Sequence, residues 1–563
     1  YKGDVTYEFA ENGWFESIKF GGRYAERDQL NKEQGLNWGA IGPAWSGGTL
    51  NAAMVDTPYS ELVDFSDFYR GGVVQGPNTA FHYVRSDLLL DYNKMSAYLD
   101  NEPDSAARWD PNNLGGDDVP WNPPRGPNGE FLYDDSAVSN ITEKNTNWYA
   151  RVDFAHDFAN GMSIDGNFGA RYVKTELAST GFLGYDPIQP DQVEDVFDPN
   201  TMERLRTDDA ESRDNICDFA PEACAFSRQP EEVRTLAKEY DDWLPSFNMK
   251  WNLNDEMLIR FGASKGLSRP NVQDLRAAQL WSVRSGNTPF PTIEDESDPL
   301  YGVFRGYQDI TVTEIRASRG NPDLQPTTAT NLDLSFEWYF ENGYFSFAVF
   351  DKDLKNIIQN GEMNIGQVTL DGDTIPITFA GQVNQDKADI SGVEISFQKF
   401  FDNLPGLLSH TGVQANYTYI DASAAPPPPA RDIDGDGFPD DFGNLNRYGI
   451  DRLPAQSENI ANLVGIYQDD KIEARLAYNW RDAYLLAYRD YITGGPVFAE
   501  AAGFLDASFK YNFTDKLQFR SSIANILDTK NKSYAQISED GLTAERFSFL
   551  NDRRIVLGLR YSF

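Results

Sequence analysis

The feature of this sequence that most limits its fold is a hydrophobic pattern of period two that recurs along the chain. In 162–172, 332–340 and 472–480, apolar residues alternate with polar or small ones. Successive side chains of a β-strand point to opposite faces, so each segment predicts a strand with one apolar and one polar face. A soluble sandwich buries the apolar face and an outer-membrane barrel turns it toward lipid, so the pattern alone leaves both open.

The lengths of the connections between the predicted strands separate these two alternatives. Tight turns, such as those at Asn160-Gly161 and Asn254-Asp255, alternate with long connections, from about a dozen residues at 487–498 to far more at 27–144. Short turns on one rim and long loops on the other are the arrangement of outer-membrane barrels. We therefore predict an all-β transmembrane antiparallel barrel wall of about fifteen strands, near 4–10, 14–26, 145–157, 162–175, 238–253, 256–268, 327–341, 343–358, 387–401, 408–422, 455–468, 470–486, 501–513, 516–528 and 553–563.

The last predicted strand alternates to its end and closes on the aromatic residues Tyr561 and Phe563. This ending resembles the assembly signal of outer-membrane proteins, and we predict that role for the two residues. If Phe563 faces the periplasm, the direction of each strand follows by counting strands backwards from the last one. The first strand then runs downwards, toward a short periplasmic turn. Single-chain bacterial barrels have an even number of strands and begin with an upward one. We therefore expect an upstream part of the barrel that this chain lacks.

Composition excludes several classes of protein. The net charge of −38, from 87 acidic and 49 basic residues, argues against nucleic acid or an anionic membrane surface as the partner. A neutral, cationic or metal-bridged partner fits better. The mean hydropathy of −0.53, without any run of about 20 apolar residues, excludes a helical membrane protein. Aromatic residues make up 13% of the chain, which suits the aromatic girdles of a barrel.

The chain has two cysteines, Cys217 and Cys224, in one acidic loop. They are either free thiols or a short local disulfide, and we predict the disulfide. Disulfides persist in oxidising compartments such as the periplasm or the cell surface.

Five segments that are weak singly occur together in a specific order. They are Phe20-Gly21-Gly22-Arg23-Tyr24-Ala25-Glu26-Arg27, Gly266-Leu267-Ser268-Arg269-Pro270, Gly320-Asn321-Pro322-Asp323-Leu324-Gln325-Pro326, Ile523-Ala524-Asn525-Ile526-Leu527-Asp528, and the run from Arg554 to Phe563. In this order they resemble the C-terminal portion of a TonB-dependent receptor. The family usually has Glu where this chain has Thr327, a departure we interpret as tolerated.

This resemblance implies a bacterial outer-membrane receptor with a barrel of about 22 strands around a plug. Residues 1–563 are then expected to form the C-terminal part of the barrel, with about seven strands, the plug and the TonB-contacting segment absent. The implied partners are the TonB complex, reached through the absent N-terminal part, outer-membrane lipid, the outer-membrane assembly machinery and a nutrient ligand. A surface lipoprotein that caps the barrel is a further candidate partner.

One long loop has the residue pattern of a calcium site. Carboxylates occupy relative positions 1, 3, 5 and 9 of the run that starts at Asp432. Position 6 is Gly437, and a calcium loop needs a glycine there for its sharp turn. The run resembles the calcium repeats of thrombospondin type 3 and dockerin modules, although position 12 is Gly443. A solvated acidic loop is the alternative. The predicted ligands of a structural calcium ion are Asp432, Asp434, Asp436, Phe438, Asp440 and Asp441, and no organic cofactor is expected.

The long loops also contain scattered aromatic residues beside polar ones. Aromatic rings can stack on the apolar face of a sugar while Asp, Asn and Arg bind its hydroxyl groups. The alternative is that these rings pack the loops together or lie at the membrane interface. The tentative ligand-binding residues are Trp38, Trp45, Tyr69, Arg70, Trp109, Asp110, Trp121 and Trp281.

The sequence favours active uptake of an oligosaccharide. A ferric siderophore or another metal chelate is the alternative ligand, but anionic siderophores would prefer a basic vestibule. A passive porin or a structural or adhesive barrel is the alternative function. An enzyme is not expected: Gly262-Ala263-Ser264-Lys265-Gly266 matches a nucleophile elbow but lies within a strand, and His82, His156 and His410 lack metal-ligand spacing.

The first testable prediction concerns the encoding gene. We expect its upstream sequence, or mass spectrometry of the native protein, to reveal a plug domain preceded by a short TonB-binding segment. Finding neither would favour the passive or structural barrel over the energised receptor.

Overall fold

The computed structural model describes residues 1–10, 13–32, 60–68, 77–91, 93–94, 138–187, 217, 220–289, 307–424, 448–490 and 493–563. The chain divides into two compact units. One unit comprises Tyr1–Gln29 and Asn140–Phe563, and the other comprises Leu30–Ser139. Within the described ranges, no helix is both long and apolar enough to cross a membrane.

The described secondary structure consists almost entirely of strands. The strands are β1 Lys2–Glu8, β2 Phe15–Lys32, β3 Ser60–Asp64, β4 Ala80–Val84, β5 Val138–Asp157, β6 Ser163–Tyr185, β7 Glu232–Asn252, β8 Met257–Ser268, β9 Gln279–Pro289, β10 Tyr307–Arg319, β11 Thr327–Phe340, β12 Gly343–Leu370, β13 Asp373–Phe400, β14 Thr411–Ala424, β15 Asn459–Gln468, β16 Ile472–Arg481, β17 Tyr484–Ala487, β18 Val497–Ala499, β19 Ala502–Asn512, β20 Leu517–Ala524, β21 Asn531–Gln536, β22 Thr543–Phe549 and β23 Arg554–Tyr561. The helices are α1 Ser86–Leu89 and α2 Pro221–Ser227, with 3-10 turns at Val272–Leu275 and Gly406–His410.

Fifteen of these strands form one wall in which each strand is hydrogen-bonded to the next. Their order is β1-β2-β5-β6-β7-β8-β11-β12-β13-β14-β15-β16-β19-β20-β23. All fifteen predicted strands are present in the predicted order. Several loop-side ends were placed too short: the strand predicted at 387–401, for example, begins at Asp373. Others were placed too long: the strand predicted at 470–486 ends at Arg481.

The two faces of this wall differ as the alternation predicted. On one face Val152 lies opposite Phe168, which lies opposite Phe247. Cross-strand polar contacts cover the other face: Lys250 Nζ lies 2.8 Å from Asp165, Arg260 Nε lies 2.7 Å from Glu337, and Ser17 Oγ donates to Asp153 at 2.9 Å. The apolar face suits lipid and the polar face suits a lumen, which agrees with a transmembrane barrel wall.

Aromatic residues mark the two borders of the apolar band. Near the short turns, the ring of Trp14 stacks on His156 at 4.1 Å and meets Phe158 edge-on at 6.1 Å. Toward the long loops, Tyr172 packs against the exposed Trp243 at 5.2 Å. The run from Trp148, opposite Tyr172, to the end of β5 at Asp157 is ten residues. It corresponds to about 30 Å of strand and, at a tilt of about 40°, about 23 Å of membrane.

The first and last strands of the wall each have one neighbour among the described residues. β1 pairs with β2, β23 pairs with β20, and both are exposed along their length. Backbone groups at a strand edge can pair with further strands, and such groups are unstable in lipid when they stay unpaired. The edges are therefore compatible with the expected absence of several strands.

Beyond the outer aromatic border, a hairpin that the sequence analysis missed joins two distant parts of the wall. Strands β9 and β10 pair with each other, while β9 runs parallel to the tip of β6 and β10 runs parallel to β13. A buried apolar cluster fills the space between them, including Phe226 of α2, Ile315 and Ile377. This core lies at the loop-side ends of the strands, so it stabilises the loops rather than the membrane-spanning part.

Two of the recognised sequence segments fasten this outer structure to the wall. In 320–326, Asn321 Nδ2 donates to the Gln382 carbonyl at 3.0 Å and Leu324 is buried against Ile141 and Leu177. In 266–270, an Arg269 nitrogen lies 3.1 Å from the buried Glu143 carboxylate. These segments therefore have a structural role that their residue types alone did not indicate.

A pair of adjacent residues in β12 tests the assignment of the two faces. Val349 lies on the apolar face opposite Leu334, whereas Ala348 lies on the polar face opposite Glu394. We expect Val349→Arg to lower the free energy of unfolding in lipid by about 2–4 kcal/mol, because it places a charge in the bilayer. Ala348→Arg should change it by less than about 1 kcal/mol, since lumenal substitutions are tolerated. Guanidinium unfolding in vesicles measures both, and equal destabilisation would contradict the assignment.

Candidate functional site

Most of the side chains that the sequence nominated for binding lie outside the described residues. These are the calcium loop at 432–441 and the ligand candidates Trp38, Trp45, Tyr69, Arg70, Trp109, Asp110 and Trp121. Their roles stay predictions. In the part of the chain that the structure describes, no group of three or more His, Cys, Asp or Glu side chains is placed to hold a metal ion.

Trp281 is described, and it packs within the outer apolar cluster. Its ring stacks on Phe226 at 6.3 Å and meets Tyr185 edge-on at 6.2 Å. Its Nε1 donates to Gln279 Oε1 at 3.1 Å. These contacts show that Trp281 packs against the buried core. Its role in ligand binding stays a prediction without structural support.

The predicted disulfide is confirmed. Cys217 and Cys224 are joined by an S–S bond of 2.02 Å, and Cys224 lies in helix α2. The first turn of α2 binds the tip of the β12–β13 hairpin: Asp371 accepts from the Glu222 and Ala223 amides at 3.0 and 3.1 Å, and Glu222 accepts from the Asp371 amide at 2.7 Å. The disulfide therefore lies beside a contact between two loops.

The proposed assembly residues lie at the short-turn rim. The rings of Tyr561 and Phe563 meet edge-on at 5.2 Å, and the Ser562 amide donates to the Lys516 carbonyl at 2.9 Å. Both rings are exposed. Their role in assembly stays a prediction.

The three histidines and the Gly-Ala-Ser-Lys-Gly run lie on different elements of the fold. His156 stacks on Trp14, His410 lies against Tyr467, and His82 lies on the β3–β4 hairpin. Ser264 is a residue of β8, where it pairs with Asn331. This serine lies within a strand, as the sequence predicted, and not at the strand-to-helix turn that a nucleophile elbow requires.

A cavity of about 500 Å³ lies at the loop-side ends of β15, β16 and β19, beside a small sheet of β17, β18, β21 and β22. Its lining combines aromatic rings, amides and a balanced set of charges. The lining residues are Ile460, Asn462, Asn479, Trp480, Arg481, Asp482, Tyr484, Leu486, Ala499, Glu500, Ala502, Phe504, Asn531, Lys532, Ser533, Phe547 and Phe549.

The floor of the cavity belongs to the polar face of the wall. Asn462 lies opposite Asn479, which lies opposite Phe504, so three neighbouring strands present one row of side chains. Lumenal amides beside a ring offer both hydrogen-bond partners and a stacking surface.

Arg481 is held in place at one side of this floor. Its Nε donates to the buried Ser457 Oγ at 2.6 Å, and a terminal nitrogen donates to the Ala455 carbonyl. The guanidinium lies 3.8 Å from the ring centroid of Tyr484. Because the side chain is fixed on three sides, it presents its charge to the cavity without a large loss of entropy on binding.

Two rings on β22 stand in the opposite wall. Phe547 and Phe549 are 41% and 61% exposed, and their rings meet at 5.4 Å. Exposed aromatic rings beside amides are an arrangement that binding surfaces use. Sequence analysis missed these rings, although their alternation in Phe547-Ser548-Phe549 within a long loop was a usable signal.

A partly buried ion pair fastens the small sheet over the cavity. Arg546 Nε lies 2.8 Å from an Asp490 carboxylate oxygen, and the Thr493 amide also donates to Asp490 at 2.9 Å. Burial raises the pKa of the Asp490 carboxyl, and the hydrogen bonds from Thr493 and Arg546 lower it. The hydrogen bonds have the larger effect, so the pKa of Asp490 lies below its usual value of 3.8. Nearby, Tyr488 donates to the Arg452 carbonyl at 2.8 Å, and burial raises the pKa of Tyr488 to about 12.

Comparison with known proteins agrees with the family that the sequence resembles. The family model described as "TonB dependent receptor-like, beta-barrel" matches residues 1–526. The hemoglobin and hemoglobin-haptoglobin-binding protein A of Haemophilus influenzae is 28% identical over 160 residues, which are 28% of this chain and 14% of that protein.

The solved structures that match this chain include two receptors. The siderophore receptor PirA from Acinetobacter baumannii is 15% identical with a TM-score of 0.40, over 77% of this chain and 57% of that one. The ferric-catecholate import receptor Fiu from E. coli is 13% identical with a TM-score of 0.46, over 100% and 54%. The chain thus spans little more than half the length of these proteins.

The ion pair over the cavity gives a testable prediction. We expect Asp490→Asn to weaken the attachment of β21 and β22 by about 1–2 kcal/mol, so that their amide protons exchange about 5–30-fold faster. The stabilisation from Asp490 is complete above pH 3.8 and is lost as the pH falls through the lower pKa of the folded state. Hydrogen exchange followed by mass spectrometry measures the rates.

The matched control is Lys532→Gln, which removes the exposed partner of Glu545 at 3.2 Å on the same hairpin. An exposed pair contributes little, so exchange should change less than about twofold. Equal effects of both substitutions would show that the Asp490 pair does not fasten the sheet.

Proposed function

Because this chain belongs to the TonB-dependent receptor β-barrel family of the bacterial outer membrane, we propose that the protein takes up an oligosaccharide across that membrane with energy delivered through TonB. Family membership confirms that the chain is a receptor barrel rather than an enzyme. The coupling to TonB, the plug and the ligand belong to the proposal, since the chain spans only part of its relatives.

The observation that carries the choice of ligand is the lining of the loop-side cavity. Exposed Phe547 and Phe549 offer stacking surfaces, and the lumenal Asn462 and Asn479 offer donors and acceptors for hydroxyl groups. The charged lining residues Arg481, Asp482, Glu500 and Lys532 sum to zero. A cavity of this kind suits a ligand that is rich in hydroxyl groups.

A metal chelate is the second candidate ligand, and a specific observation favours it. The similar proteins include a hemoglobin-binding protein and siderophore receptors by name. Those names describe the other proteins, and the matched part of the hemoglobin-binding protein is only 14% of its length. The overall charge of −38 also opposes an anionic chelate.

The test compares ligands on the purified protein in detergent. Isothermal titration with a panel of oligosaccharides, hemin and a ferric siderophore is expected to give binding with an oligosaccharide alone. Phe549→Ala should weaken that binding about three- to tenfold, because an aromatic contact contributes about 0.5–1.5 kcal/mol. The control Phe513→Ala removes an equally exposed ring at the short-turn rim and should leave the affinity unchanged.

Binding of hemin or the siderophore in place of every sugar would overturn the choice of ligand. Energy coupling is tested separately by uptake of the labelled sugar into cells with and without TonB. Uptake that persists without TonB would overturn active transport and leave a passive barrel.

A further inference from the structure

The lipid-facing side of the wall has a shallow groove of about 460 Å³ that crosses β1, β2, β5, β6 and β7. Its floor consists of small residues, since Ala150 lies directly opposite Ala170. At one end of this floor, a Cβ atom added to Gly3 would meet no heavy atom within 4 Å. The large side chains along the groove, which we call the outer groove, are Val5, Phe20, Trp148, Tyr172 and Trp243.

The outer groove exists because two small residues face each other across a strand pair. Two other alanines on the lipid-facing side have large partners: Ala263 lies opposite Leu332, and Ala461 lies opposite Tyr417. A large partner covers the space beside an alanine, whereas the alanine pair of the outer groove leaves that space open. The wall therefore has a depression here that it lacks at those two positions.

The outer groove lies at the level of the outer leaflet. Trp148, Tyr172 and Trp243 form one row across three neighbouring strands, at the aromatic border toward the long loops. Ala150 and Ala170 lie two residues closer to the short turns, so the groove is open to acyl chains. Acyl chains are as apolar as this lining, so apolar contact alone distinguishes little between one lipid and another. A preference must come from the headgroup.

Charged side chains lie just beyond this border on the same side of the wall. Lys174, two residues past Tyr172, has its Nζ 3.0 Å from Glu176 and 2.9 Å from Glu239. Asp241 lies opposite Lys174 and is exposed. Within the described ranges, no nitrogen of a Lys, Arg or His side chain lies within 4.0 Å of the Asp241 carboxylate.

The groups beside the outer groove therefore carry an excess of negative charge. Lys144 pairs with Glu26 at 3.8 Å on the same side of the wall. The two lysines face four carboxylates, those of Glu26, Glu176, Glu239 and Asp241, which leaves a local charge of 2 − 4 = −2. Charges this close act on one another even at physiological salt, where the screening length is about 8 Å. An anionic headgroup is therefore disfavoured here, and a headgroup with an ammonium group is attracted.

We infer that the outer groove binds one acyl chain of a zwitterionic phospholipid such as phosphatidylethanolamine, with the ammonium group of the lipid beside Asp241 and Glu239. Lys174 then lies on the side of the lipid phosphate, and the hydroxyl group of Thr146, opposite Lys174, is a further donor. This lipid site is independent of which ligand the receptor transports.

The test measures lipid binding to the full-length protein in detergent by native mass spectrometry. The probes are phosphatidylethanolamine and phosphatidylglycerol with identical acyl chains, which differ in the net charge of the headgroup. One molecule of phosphatidylethanolamine should bind about three- to tenfold more tightly than phosphatidylglycerol, a modest preference because exposed charges contribute little each.

A first pair of substitutions tests the floor of the outer groove. Ala150→Leu with Ala170→Leu fills the floor with apolar atoms and should weaken binding of phosphatidylethanolamine at least about tenfold. The control, Ala263→Leu with Ala461→Leu, adds the same volume elsewhere on the lipid-facing side and should leave the affinity unchanged.

A second pair tests the charges. Asp241→Asn with Glu239→Gln leaves the groove intact, and the preference for phosphatidylethanolamine should fall below about twofold. The control, Asp351→Asn with Asp389→Asn, removes two exposed carboxylates from the outward side of β12 and β13 and should keep the preference. This pair tests the headgroup even if the filled floor destabilises the wall.

Each outcome supports or overturns a stated part of the inference. Equal affinity of the wild-type protein for the two lipids, or tighter binding of phosphatidylglycerol, would overturn the choice of headgroup. Unchanged binding by the filled variant would overturn the groove as the site. A preference that survives the loss of both carboxylates would overturn the role of Asp241 and Glu239. Several lipids bound equally by every variant would indicate a nonspecific lipid coat and overturn the inference as a whole.

Discussion

The structure depends on one constraint: in lipid, every backbone N–H and C=O group must find its partner on a neighbouring strand. The fifteen-strand wall meets this condition from β2 to β20, each strand bonded on both sides. The lipid face then needs no core, and its apolar side chains remain exposed, as Trp148 and Trp243 do. Burial is concentrated instead at the loop-side ends of the strands, where α2 packs against β10, β12 and β13.

The same constraint explains which parts of the fold could be predicted from the sequence. A strand that contacts lipid on one face and a lumen on the other must alternate strictly, so residues such as 162–172 are readable. In β13, Ile375, Ile377 and Phe379 are buried in the loop core and alternate with Thr374, Pro376 and Thr378, but a proline within such a run argues against a central strand. The predicted start at residue 387 was therefore late. Strands β9 and β10 were missed because they are packed by Trp281 and Ile315 inside the loop core.

The candidate site was harder to predict than the fold. The disulfide followed from two cysteines seven residues apart, a local signal. The cavity joins Asn462, Asn479 and Phe504 with Phe549, residues that come together through strand register and through the pairing of two loops. Composition gives no sign of that pairing. Asn525 is a further example: it appeared only as part of a family segment, yet it is buried and bonds Asp506, Thr529 and Asn551 to close the last long loop.

The β9–β10 hairpin has a geometric consequence for the wall. Between β6 and β13 the wall runs through β7, β8, β11 and β12, an arc of five strand spacings, whereas the hairpin joins the same two strands in three. The hairpin and the wall thus form a closed ring of strands at the loop-side ends. There β6 and β13 cannot separate without breaking hydrogen bonds in the hairpin as well as in the wall.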